Sequence, residues 1–84
     1  MTAEELEAQV QAIIRRPYHR VITGEPREGH LAEVPELPGC FSAGETPEEA
    51  IRNLDEAMAV WVESALVHGD PIPEPATGPI RLTA

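Results

Sequence analysis

Four side chains in this 84-residue chain belong to the types that most often act as nucleophiles, proton carriers or soft metal ligands: Cys40, His19, His30 and His68. Cys40 sits in the stretch VPELPGCFSAGETPEEA, residues 34–50. A catalytic thiol needs a neighbouring base to hold it as thiolate, and the local sequence offers none. Flanked by Gly39 and Phe41, it reads as a small buried hydrophobe. One thiol forms no intramolecular disulfide, and three scattered histidines give none of the close Cys/His spacings of a zinc site. No metal or other cofactor is expected. His19 and His30 flank a hairpin and could face each other, although histidines at exposed strand ends are more often solvated than catalytic. His68, near a helix C-terminus, is explained by the helix dipole. A two-metal nuclease would need several carboxylates converging from the strands. The strands supply Glu33, with Glu36 just beyond, while Glu45, Glu48 and Glu49 are explained by a helix start. No catalytic residue is assigned, and the chain is expected not to be an enzyme.

The elements that position these residues follow from local signals. Thr2-Ala3-Glu4-Glu5 is a capping box, and Ala3, Leu6, Val10, Ile13 and Ile14 continue it as one apolar stripe. Pro17 ends that helix near Arg15. Tyr18–Thr23 and His30–Val34 read as two strands around the turn-like residues 24–29, and Cys40–Gly44 as a third. Pro35 and Pro38 cannot donate to a ladder, so the segment between the strands lies at an edge or loops out. Thr46-Pro47-Glu48-Glu49 is a second capping box with proline at the first helical position. Its helix runs to about His68, roughly 33 Å, with Gly69 placed for a left-handed cap.

The stripe Ala50, Ile51, Leu54, Ala57, Met58, Trp61 and Ala65 is that of a helix lying across a sheet, with the Trp61 indole N–H needing one acceptor. Asn53 falls off the stripe, so it is either solvated or bonded to a loop. Val60 and Val67 make a second apolar patch, one heptad apart. Either the first helix covers it or it is a subunit contact. Residues 70–79 are proline-rich and extended, and Ile80–Thr83 could return as a short strand.

Fifteen acids against six arginines, with no lysine, give a net charge of −9. That repels phosphate backbones and suits a basic protein partner. With 42% hydrophobic and 25% charged residues, usage is globular. The apolar runs fall far short of the roughly 18 residues needed to span a bilayer, and the acidic N-terminus is unlike a signal peptide. A cytoplasmic protein is expected. A chain of this length buries only roughly 60% of its unfolded surface, so self-association would help it.

The string from Val34 to Pro75 resembles the HicB antitoxin family. The features that carry the likeness are Pro35-Glu36-Leu37-Pro38-Gly39-Cys40, Gly44-Glu45-Thr46, Glu49-Ala50, Asn53, Glu56-Ala57, Trp61, Gly69 and Pro73-Glu74-Pro75. With the preceding hairpin the resemblance covers about residues 18–75. It implies an α+β fold: an N-terminal helix, then a β-β-β-α-β partial RNase H-like domain. The layout is one HicB-like domain over 1–84, with an additional helix at 1–16, the family core at 18–75, and a tail or short strand at 76–84. The resemblance also implies the antitoxin of a bacterial type II toxin–antitoxin pair, whose partner is a HicA-type mRNA interferase toxin. Such an antitoxin binds the toxin and covers its active site.

Family members commonly continue into a DNA-binding segment, and the nine residues after Pro75 cannot hold one, so no direct nucleic-acid binding is expected. Glu33, Glu36 and Glu45 are the expected partner contacts, being acids at strand ends near the Pro-Gly corner. Val60 and Val67 are the expected contact of a homodimer or tetramer. The alternatives are a stand-alone oligomeric HicB-like regulator or scaffold, and a weak metal-dependent nuclease.

Overall fold

The computed structural model describes residues 1–25 and 27–77. Thr2 caps helix α1, Ala3–Ile14, with its hydroxyl accepting from the Glu5 N–H at 3.1 Å. At the second capping box, the Thr46 hydroxyl accepts from Glu49 N–H at 3.1 Å and opens helix α2, Pro47–His68. The Glu49 carboxylate reaches one residue further upstream than a capping box requires, accepting from Glu45 N–H at 3.3 Å. Gly69 ends α2 in the left-handed conformation, φ +71. Both helices therefore begin and end where their local signals put them.

Three antiparallel strands lie between the helices: β1 (Val21–Glu25), β2 (Gly29–Glu33) and β3 (Phe41–Gly44), in the order β1-β2-β3. The hairpin is tighter than the sequence suggests. Glu28 N–H donates to Glu25 O at 3.0 Å, and Gly24 and Gly29 belong to the ladder. The first strand also starts three residues later than expected, because Tyr18 turns into the core and its hydroxyl donates to Pro73 O. Residues 35–39 loop out between β2 and β3, as the two prolines require. The expected strand at Ile80–Thr83 lies outside the described residues.

Register fixes the two faces of the sheet. Cross-strand partners share a side, so Ile22, Ala32 and Ser42 form the inner row while Val21, Glu33 and Phe41 lie on the outer side with Thr23, Leu31 and Ala43. Helix α2 crosses the inner side, and α1 packs on α2 without reaching any strand. The core joins Val10 and Ile13 of α1 to Tyr18, Ala32, Val34, Leu37 and Cys40, and to Ala50, Leu54, Met58 and Val62 of α2. Val62 was absent from the sequence stripe although it lies four residues after Met58. Gly44 fits where β3 meets the first turn of α2: a Cβ there would stand 2.5 Å from Ala50 N and 2.8 Å from Glu49 C. The result is the expected α+β architecture, with helix, three strands and helix in that order.

Candidate functional site

The Pro-Gly corner is built by two backbone bonds, Leu37 N–H to Val34 O at 3.1 Å and Cys40 N–H to Leu37 O at 3.0 Å, with Gly39 at φ +80. Leu37 and Cys40 drop into the core from it. The Trp61 indole N–H donates to Pro38 O at 2.9 Å, pinning the corner to the middle of α2. Burial pushes the Cys40 thiol above its ordinary value, and the Arg20 charge only partly opposes this. A buried, protonated thiol is a poor nucleophile. Cys40 is therefore a packing residue.

Glu36 occupies an unexpected place. Its side chain is 5% exposed, and its oxygens accept from the His19 backbone N–H at 3.0 and 3.2 Å and from Ala76 N–H at 3.1 Å. The His19 ring nitrogen Nδ1 lies 2.9 Å from the same carboxylate. Burial alone would raise its pKa, but the bonds from the His19 ring, the His19 and Glu36 backbone and Ala76 outweigh it and hold the carboxyl below the ordinary value of 4.5. Glu36 thus clamps the entry to β1 and the segment after α2 onto the Pro-Gly corner. It offers little of itself to a partner.

The other expected contacts lie on the surface. Glu33 is half-buried on the outer side of the sheet, opposite Val21 and Phe41, and Glu45 is exposed just before α2. Phe41 is 61% exposed and Leu31 39%, so that side presents apolar side chains around one carboxylate. Val60 and Val67 are exposed as well, at 68% and 63%. Helix α1 leaves them open because it packs on another flank of α2, where Gln11 and Ile14 lie beside Asp55 and Ala59.

Asn53 is bonded to a strand and not to a loop, its Nδ2 donating to Ala43 O of β3 at 2.8 Å. His19 and His30 do not face each other: His19 meets Glu36, while His30 lies between Gly24 and Gly44 with its Nδ1 buried and unpartnered among the described residues. His68 is exposed, its Nδ1 2.7 Å from Ser64 O. Among the described residues no three of His, Cys, Asp and Glu group as metal ligands, and no helix is long and apolar enough to cross a membrane. What the surface can do is bind: it joins exposed apolar side chains to an excess of carboxylates.

Residues 18–80 match the family described as the HicB-like antitoxin of bacterial toxin–antitoxin systems. A UPF0150 protein of Thermoplasma acidophilum is 39% identical over 56 residues, which is 67% of this chain and 81% of that protein. A UPF0150 protein of Synechocystis is 44% identical over 46 residues, 55% of this chain and 58% of the relative. An uncharacterized 14.9 kDa protein of Haemophilus phage HP1 is 40% identical over 47 residues, 56% of this chain but only 35% of its own length. No solved structure shows a significant match.

Proposed function

The chain belongs to the HicB-like antitoxin family, and from that premise we propose that it is an antitoxin-type binding protein, acting by occupying the RNA-binding surface of a small, basic, mRNA-cleaving toxin of the HicA type. The family match over residues 18–80 carries this reading. The charge supports it independently. An RNA-binding surface commonly carries basic residues to hold phosphates, and a protein of net charge −9 is drawn to such a surface. The setting for this chemistry is the bacterial cytoplasm, where the toxin meets mRNA.

Glu33 and Glu45 are the proposed rim contacts, since both carboxylates reach the surface near β3. Glu36 was expected to join them, but its role as an internal clamp makes it unsuitable for a charge-reversal test. A second reading, a stand-alone homo-oligomer, is favoured by the exposure of Val60 and Val67.

The test is to look for a small basic protein encoded beside the chain, co-express the two and titrate RNA cleavage; the absence of such a neighbour would favour the stand-alone reading. Cleavage should stop near one antitoxin per toxin, and association should slow as salt rises. Reversal of Glu33 and Glu45 together should lower the association rate and leave thermal stability unchanged. Cleavage that persists with the chain in excess would refute the antitoxin reading.

A further inference from the structure

Strands β1 and β3 are the two edges of the sheet, and β3 is the one whose sequence carries nothing to protect it. Natural edges carry charges, prolines or bulges that prevent pairing, whereas Phe41-Ser42-Ala43-Gly44 has neither charge nor proline. The bond from Val34 N–H to Cys40 O at 3.0 Å sets the alternation of the ladder. Ser42 and Gly44 then bond to β2, while Phe41 and Ala43 aim their polar groups at the free edge. Ala43 O is taken by Asn53, and the next outward N–H, that of Glu45, by Glu49. Between those closures the N–H and C=O of Phe41 and the N–H of Ala43 have no hydrogen-bond partner among the described residues. They are one short strand's worth of open ladder.

Both sides of this edge are apolar. Toward α2 lies an open cleft of about 450 Å³ with Ala57, Val60 and Trp61 on its helical wall. It adjoins a second of about 390 Å³ that shares Val60 and Trp61 and ends at Asp70 and Pro71. On the outer side stand Phe41 and Leu31. A strand laid on β3 would send alternate side chains into each.

Charge selects the occupant. The charged residues lining the two clefts are Glu56 and Asp70, both acidic, and Arg52, the single arginine of α2, lines neither. Glu49, Glu56 and Glu63 repeat every seven residues along the helix beside Val60. A second copy of the chain would bring these rows together, like charge against like. We infer that the β3 edge is a strand-addition site for an extended segment of a basic partner protein, one alternating apolar with arginine or lysine side chains. The partner's identity rests on the antitoxin reading.

The probe is a short capped peptide alternating arginine and valine, titrated into the full chain and followed by amide NMR. The Phe41 and Ala43 amides should shift and gain exchange protection, and affinity should fall as salt rises. Ala43→Pro removes an outward N–H that β2 does not use, a position where an edge strand tolerates proline. Val60→Lys alters an exposed side chain, removing apolar surface and setting a like charge against the peptide. Each should weaken the peptide at least about tenfold with an unchanged circular dichroism spectrum; if the proline variant fails to fold, Val60→Lys carries the test.

The proposal is overturned if a glutamate–valine peptide binds equally, or if the shifts fall away from β3. It is also overturned if the Phe41 and Ala43 amides of the free chain become protected as its concentration rises, since a second copy would then own the edge. Equal neutralisation of the neighbouring toxin by wild type and both variants would remove the edge while leaving the antitoxin reading intact. Peptide binding at β3 without any toxin neutralisation would do the reverse.

Discussion

Glu36→Ala tests whether one nearly buried carboxylate holds three segments together. The side chain accepts from two backbone N–H groups, His19 and Ala76, and meets the His19 ring. Hydrogen bonds to a charged acceptor contribute roughly 1.5–3 kcal/mol each, but here water can replace the acceptor at the exposed Ala76 and the carboxylate itself is costly to bury. A net loss of about 2–3 kcal/mol follows. For a domain of this size each kcal/mol moves Tm by roughly 4–8 °C, so the melting temperature should fall by roughly 10–20 °C. Glu36→Gln keeps the shape and one oxygen and should lose about half as much.

Protonation gives the second readout. The folded-state pKa is depressed below 4.5, so the clamp's contribution is full above the ordinary carboxylate range and is lost as pH falls through the folded value. The Gln variant lacks that titration. Its melting curve should therefore approach the wild type as the buffer is taken from neutral down through and below the ordinary carboxylate range. A Gln variant as stable as wild type at neutral pH, or a gap that does not narrow with acid, would refute the clamp.

Gly44→Ala should destabilise by about 1–3 kcal/mol in urea unfolding, because a Cβ 2.5 Å from Ala50 N forces β3 away from α2. Asn53→Ala, which loses one exposed bond to Ala43 O, should cost only about 0.5–1.5 kcal/mol in the same assay. Trp61→Phe keeps the ring packing but leaves Pro38 O without its donor, and should cost about 1–2 kcal/mol by thermal melt. Replacing Val60 and Val67 together by serine should change stability by less than about 0.5 kcal/mol per site, since both are exposed. Sedimentation of that double variant decides whether the pair is a subunit contact: an assembly unchanged from wild type excludes it.

The features legible in the sequence were those set within a few residues. Thr2, Thr46 and Gly69 act on backbone groups three or four positions away, and their helices end where the local chemistry says. Features set by distant segments were not legible. Tyr18 and His19 read as strand from their side chains, yet Pro73 and Glu36, 55 and 17 residues away, take their polar groups and delay the ladder to Val21. Glu36 read as a surface acid for the same reason: its burial depends on the segment after α2 folding back over it. The two valines were ambiguous because nothing local says which flank of α2 the first helix chooses. Val62 could have decided it, lying four residues after Met58 and eight after Leu54, a position that demands cover from outside the sheet.

The placement of the arginines sharpens what the net charge of −9 means. Arg20 is bonded to Asp55 at 3.1 Å, and Arg16 meets Glu74 at 3.5 Å, so both are engaged on the side where β1 begins and α1 ends. Such exposed pairs contribute little to stability. Their effect is on the field, because they neutralise Asp55 and Glu74, while Arg27 lies in the same surface cleft as Glu45. Glu45, Glu49, Glu56 and Glu63 all belong to the surface around β3 or to the helix row beside it. At ordinary ionic strength the field reaches only about 10 Å, which is enough to orient a cationic protein arriving at the surface but not to hold it. For the proposed basic partner, holding would fall to short-range contacts, and around β3 these are the open backbone groups of Phe41 and Ala43 with the apolar side chains on either side of them. Steering and anchoring would thus converge on the same edge, with acids at its rim and apolar surface at its centre, the division of labour by which charged interfaces gain rate from one and residence time from the other.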